Sequence, residues 1–319
     1  MKKVGNNIFS YLKETYLGWQ NDEAFRQSAV IAYYSIFSLP ALIIIVVNVA
    51  GFFFGKEEVR GQITGQIGSM IGQDAAYQVQ TMVANAGDQG GSTIAIIIGI
   101  ATLIFGATGL FYQLQQSLNQ VWDVEAKPSA GILKVVVDRA LSLGIVLAIG
   151  FLLIISLVIT AILSAVNSWM QAQLPDMMMY FFHVINFLLS IGIITVFFAL
   201  IYKVLPDVDI PWRTVWIGAL VNAILFTLGK SALGYYFGQT DPASTFGAAG
   251  SVILILLWVN YSGLIFLFGA QFTKVYARRN GHQIKVSSHA QRTARYRLRE
   301  QEESSGKDNK AENEKANVG

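Results

Sequence analysis

The chain has 319 residues, 53% hydrophobic and only 13% charged, with a mean hydropathy of +0.47; a soluble globule would carry more charge on its surface, so this is the composition of a polytopic membrane protein. The formal net charge is +3 and there is no cysteine, which excludes disulfides, thiolate metal sites and cysteine nucleophiles. Twenty-nine glycines against six prolines fit close helix packing in lipid better than a loop-rich β fold.

Residues 1–28 begin MKKVGNNIFSYLKETYLGWQ and lack an uninterrupted apolar run before a cleavage site, so they are not read as a cleavable signal. Two readings stay open for this cytoplasmic segment. It is either an amphipathic helix near the membrane, with Ile8, Tyr11, Leu12, Tyr16 and Trp19 toward the interface, or a plain leader into the first span. That span covers 29–54, and its opening AVIAYYSIFSLP is polar for a lipid-facing stretch. Tyr34, Ser38 and Asn48 share a narrow arc of the helix, and Pro40 predicts a kink. These groups either line a cavity or hydrogen-bond neighbouring helices.

Between 55 and 91 the chain does not span. Val59, Ile63, Ile67, Val79 and Val83 recur at roughly helical spacing, which reads as an outer amphipathic segment of one or two helices. Gly61, Gly65, Gly68 and Gly72 weaken it in isolation, leaving a mobile lid or helices held by tertiary packing. The second span, 93–114, runs into FYQLQQSLNQVWDVEAKPS. Its amides, Gln113 among them, either meet a solute or form a solvated helix end anchored by Trp122. The third span, 141–165, is the most uniformly apolar and reads as lipid-facing. The fourth, 180–202, carries His183 and Asn186 and ends at Lys203; His183 reads as an interfacial residue rather than a proton relay.

LPDVDIPWR leads into the fifth span, 214–236, with Pro211 at the helix start and Trp212 and Trp216 as interface anchors. Gly218, Asn222 and Gly229 share one face. Lys230 either snorkels outward or forms a buried charged site. The sixth span, 248–274, has Asn260, Gly263, Gln271 and Lys274 on one side and Ser251, Ser262, Gly269 and Thr273 on the other. Neither side reads as a lipid wall, which places this helix centrally in the bundle.

The fold expected is therefore all-α: a polytopic bundle of six transmembrane helices over 29–279. Twenty of the 23 Lys and Arg residues fall on the side of the two termini, a positive-inside bias that puts both in the cytoplasm. Residues 280–319 read as a basic and then mixed-charge, mostly disordered tail, whose basic part suits anionic lipid headgroups. No phosphate loop, HExxH or GxSxG pattern occurs, and His183, His282 and His289 are not at ligand spacing. No catalytic residue, metal or cofactor is expected, and the tail lacks the aromatic interleaving of a nucleic-acid surface.

SAVIAYYSIFSLPALIIIV, LNQVWDV, LPDVDIPWRTVWIGALVNAILFTLGK and STFGAAGSVILILLWVNYSGLIFLFGAQFTKVYA are similar, in that order and over roughly 20–280, to the YihY/BrkB family of bacterial inner-membrane proteins. The resemblance implies a six-helix inner-membrane fold and no catalytic residues; the label ribonuclease BN once attached to members is regarded as mistaken. Members typically carry a glutamate in a GAE motif near the end of the last span, where this chain has Gly269, Ala270 and Gln271. The leading functional reading is a transporter or exporter of an unknown small or amphipathic solute. Its cavity-lining candidates are Tyr34, Ser38, Asn48, Gln113, Asn186, Asn222, Asn260 and Gln271. The alternative is a non-transporting scaffold of an envelope complex, and a homo-oligomer is compatible with either.

Overall fold

A computed structural model of the protein describes residues 2–87, 109–127, 176–240, 249–298 and 301. Its helices are α1 (Lys2–Asn21), α2 (Ala24–Phe54), α3 (Lys56–Ile71), α4 (Gln73–Gly87), α5 (109–121 of the described residues), α6 (Asp176–Val204), α7 (Trp212–Thr240) and α8 (Gly250–Arg279). Among the described residues three stretches are long and apolar enough to cross a bilayer: Phe187–Val204, Trp212–Tyr236 and Gly250–Arg279. Helix α2 holds a bent pair, Ala24–Leu39 and Leu42–Asn48, which turns by 49° across Pro40, a residue without a backbone donor; it makes a fourth if the two pieces form one span. The expected third span and residues 93–108 of the second lie outside the described residues.

Helix α8 is the axis. Its 30 residues reach about 45 Å, beyond a hydrocarbon layer of about 30 Å, and Arg278 and Arg279 in its last turn complement the helix dipole. Helices α2, α7 and α1 pack around it. Helix α1 runs alongside the C-terminal half of α8. Tyr11 meets Phe272, Gly18 meets Gln271, and the Trp19 indole donates to the Leu264 carbonyl at 3.1 Å. Tyr11 and Trp19, expected toward the membrane interface, therefore face protein; Phe9, Leu12, Tyr16 and Leu17 are the exposed set. The indole N–H explains the difference, since it needs a buried acceptor and α8 supplies one.

The main core joins Trp19, Phe111, Trp122, Phe198, Tyr202, Phe266 and Leu267. A second cluster, formed by Ile43, Val47, Val59, Ala75, Val79 and Ile255, seats α3 and α4 on α2 and α8, so these glycine-weakened helices are held by packing.

Among the described residues four short strands depart from the all-α expectation: β1 (Val124–Ala126), β2 (Val208–Asp209), β3 (Lys285–Val286) and β4 (Ala290–Arg292). Strand β1 pairs antiparallel with β4, and β2 with β3. Residues 280–292, expected within a mostly disordered tail, instead fold back as a strap over the turns that follow α5 and α6. Asp123, at φ 53°, makes the turn out of α5, a left-handed conformation Asp tolerates. Its carbonyl then accepts from Thr293 N at 3.0 Å. The strap's backbone groups are satisfied by these loops, which a charge-rich composition does not disclose.

Candidate functional site

Alongside α8 the described polar groups fall into two sets, one on each side of the helix. On one side Asn260 Oδ1 accepts from the Ser28 hydroxyl at 2.6 Å, while Gly263 lets Ser28 approach, a Cβ there falling 3.1 Å from Ser28 Cβ. Nearby, Gln27 Oε1 accepts from Gln113 Nε2 at 3.1 Å and Ser117 Oγ at 2.9 Å. Gln27 Nε2 donates to Gln120 Oε1, and Gln120 Nε2 to the Asp22 carbonyl at 2.7 Å. This amide chain borders a cavity of about 10 Å³ beside Trp19 and Leu267, the space of one water. One turn further along α8, Gln271 is buried against Gly18, with no described partner for its Oε1.

On the opposite side α8 meets α7 and α6 through glycines. Thr273 occupies the space left by Gly218, and its hydroxyl donates to the Gly269 carbonyl at 2.7 Å. A Cβ on Gly269 would lie 2.5 Å from Asn222 Oδ1 and 2.6 Å from the Tyr202 hydroxyl, so glycine is what permits the contact. Tyr202 is buried and donates to the Phe266 carbonyl at 2.7 Å. Asn222 is 0% exposed, and neither its oxygen nor its nitrogen has a hydrogen-bond partner among the described residues.

A third cluster closes the charged end of the bundle. Asp207, buried in the turn after α6, accepts from Asn119 Nδ2 at 2.9 Å, Gln115 Nε2 at 3.4 Å and, with His289 as donor, His289 Nε2 at 3.0 Å. Its own N–H donates to Asn119 Oδ1 at 2.8 Å. Lys274 of α8 pairs with Asp123 at 2.7 Å, and Arg292 donates to the Trp122 carbonyl at 2.8 Å. At its edge, the exposed Asp209 carboxyl is held below the usual carboxylate range by a hydrogen bond from Lys203 and by that residue's charge.

Among the described residues expected to line one cavity, Gln113 and Asn260 meet the adjacent Gln27 and Ser28 of α2, whereas Asn222 lies apart from them. Asn260 and Gln271 face α1 and α2, whereas Asn222, on α7, meets the other side of α8 at Gly269; the 100° helical step separates Gly269 from Gln271 on α8, and the packing of α7 decides the rest. Gln113 joins the amide chain. Tyr34 is half-buried and packs against Gly109, and Ser38 donates to the Tyr34 carbonyl at 2.8 Å. Asn48 is exposed, and its Nδ2 donates to the Ile44 carbonyl at 2.8 Å. Asn186 and His183 lie on α6, with side chains outside those described. Lys230 is half-buried and no described acid pairs with it. Sequence reasoning missed Asp207, Asp123, Gln27, Ser117 and Tyr202 as parts of these clusters. The two acids were visible inside LNQVWDV and LPDVD, as carboxylates adjoining span ends. Among the described residues no three His, Asp or Glu side chains gather as a metal site.

A family model described as "Virulence factor BrkB" matches residues 15–294. The chain is similar to a UPF0761 membrane protein of Pseudoalteromonas atlantica, 26% identical over 80% of this chain and 82% of that one. A UPF0761 membrane protein of Yersinia pestis is 32% identical over 56% of this chain and 58% of its own length. For one of Verminephrobacter eiseniae the figures are 28%, 56% and 40%. The matched region thus spans about half the length, or less, of several curated relatives. No solved structure matches.

Proposed function

The chain belongs to the BrkB family of membrane proteins, and we propose that it moves a small or amphipathic solute across the bacterial inner membrane by opening the seam between α7 and α8. The observation that carries this reading is Asn222, fully buried with both amide atoms unpartnered among the described residues. A buried polar group without a partner costs about 1–3 kcal/mol, and inside a helix bundle no bulk water relieves it. Such a group is favoured by a second arrangement in which water or solute meets it, and any ligand that binds that arrangement better shifts the population toward it. The seam suits this, being formed at Gly218 and Gly269 by close packing. The charged end is instead fastened by the Lys274–Asp123 pair and the Asp207 cluster. Six spans, cytoplasmic termini and contact of the basic residues near the C-terminus with anionic headgroups complete the reading, supported by the distribution of Lys and Arg. No catalytic step is assigned.

The test is a distance measurement. The chain has no cysteine, so spin labels can be placed at Leu228→Cys on α7 and Leu257→Cys on α8, both exposed. Pulsed electron resonance in proteoliposomes is expected to give two distance populations. A single narrow population would reject the moving seam in favour of a rigid scaffold.

A further inference from the structure

Around Asn222 the described polar side chains of α6, α7 and α8 are neutral. Tyr202 donates to the Phe266 carbonyl and keeps its oxygen lone pairs as acceptors. The Thr273 hydroxyl is occupied by the Gly269 carbonyl. Asn222 itself offers two donors and one acceptor, none of them used among the described residues. The described charges on these helices are engaged elsewhere or distant: Lys203 with Asp209, Lys274 with Asp123, Arg278 and Arg279 with Glu14, and Lys230 and Arg213 eight and nine residues from Asn222, about 12 Å or more along the axis. A chain of aromatic rings on the same three helices begins at Tyr202, whose hydroxyl lies with Asn222 against Gly269. Tyr202 stacks on Phe266 at 5.3 Å and Phe198 on Tyr202 at 6.3 Å. Phe226, one turn from Asn222, contacts Phe198 at 5.8 Å and Trp258 at 6.3 Å.

We propose that the parted α7–α8 seam binds an uncharged amphipathic molecule. Its hydroxyl or amide head, which both donates and accepts, pairs with Asn222 and Tyr202, and its apolar body lies against Phe198, Phe226, Phe266 and Trp258. This rests on the reading that the seam opens. A small set of neutral donors and acceptors set among aromatic rings is the composition of a site for such ligands. A charged head would enter without a counter-ion, which a membrane interior penalises heavily.

Purified full-length protein is titrated with three radiolabelled dioleoyl amphiphiles that differ in the head: dioleoylglycerol, dioleoyl phosphatidate and dioleoyl trimethylammonium propane. Saturable dioleoylglycerol binding, about tenfold tighter than either charged lipid, is expected, and Asn222→Leu weakens it about tenfold, which is about 1.4 kcal/mol. Tyr202→Phe, which keeps the ring, weakens it severalfold and carries the test if the first variant does not fold. Absence of dioleoylglycerol binding, equal or tighter binding of a charged lipid, or binding indifferent to the variants overturns the assignment. If the spin-label distances still show two populations, the ligand class fails and the opening stands; with one population both fall.

Discussion

Replacing Asn222 by Leu separates a functional amide from a packing amide by the sign of a stability change. The side chain is fully buried and unpartnered among the described residues, so its removal relieves a penalty of about 1–3 kcal/mol. Fitting an apolar side chain of similar length costs under about 1.5 kcal/mol. The net effect is a stabilisation of about 1 kcal/mol. Asn260 is the internal control: its oxygen accepts the Ser28 hydroxyl at 2.6 Å, so Asn260→Leu is expected to destabilise by about 1–2 kcal/mol. Both are read from reversible unfolding in mixed detergent and lipid micelles, followed by tryptophan fluorescence. If Asn222→Leu destabilises as much as Asn260→Leu, the amide has a partner and the reasoning from its isolation is wrong.

Gly269→Ala places a methyl 2.5 Å from Asn222 Oδ1 and 2.7 Å from Asn222 Cβ; because that Cβ rides on the α7 backbone, the helices must separate, and the same unfolding assay should show a loss of about 1–3 kcal/mol. Asp207→Ala strands the Asn119 and Gln115 amides and the His289 contact, so a loss of about 2–4 kcal/mol is expected, with the strap at 285–292 cut faster in limited proteolysis. Asp209 has a folded-state pKa lowered chiefly by its hydrogen bond from Lys203. A depressed carboxyl contributes stability above its unfolded pKa, near 3.9, and loses it as pH falls through the folded value. The stability gap between the wild type and Asp209→Asn, small because the carboxylate is exposed, is therefore full at pH 7 and closes below about pH 4.

The central position of α8 was legible because its two unlike faces are a matter of helical spacing, and each face does meet protein. The kink at Pro40 was legible for the same local reason. What could not be read was which polar residues share a space. Asn222, Asn260 and Gln271 look alike as intramembrane amides, yet α8 stands between the first and the other two, and that depends on which helix packs on which face. The strap was hidden because its strands are two or three residues long and charged; their pairing to residues 124–126 and 208–209 is set by contacts more than 75 residues away in the chain. Helix α1 was ambiguous because aromatic residues serve a lipid interface and a helix interface equally well.

Whether Asn222 is reached by water is open to measurement with one substituted cysteine in this cysteine-free chain. Asn222→Cys and the exposed control Leu228→Cys are reconstituted in proteoliposomes and treated with a membrane-impermeant methanethiosulfonate. An opening seam predicts that the thiol introduced in place of Asn222 is modified although that position is buried in the closed arrangement, while the lipid-facing thiol introduced in place of Leu228 is not. Failure of the Asn222→Cys variant to react at any concentration that labels the unfolded chain would contradict the proposed opening.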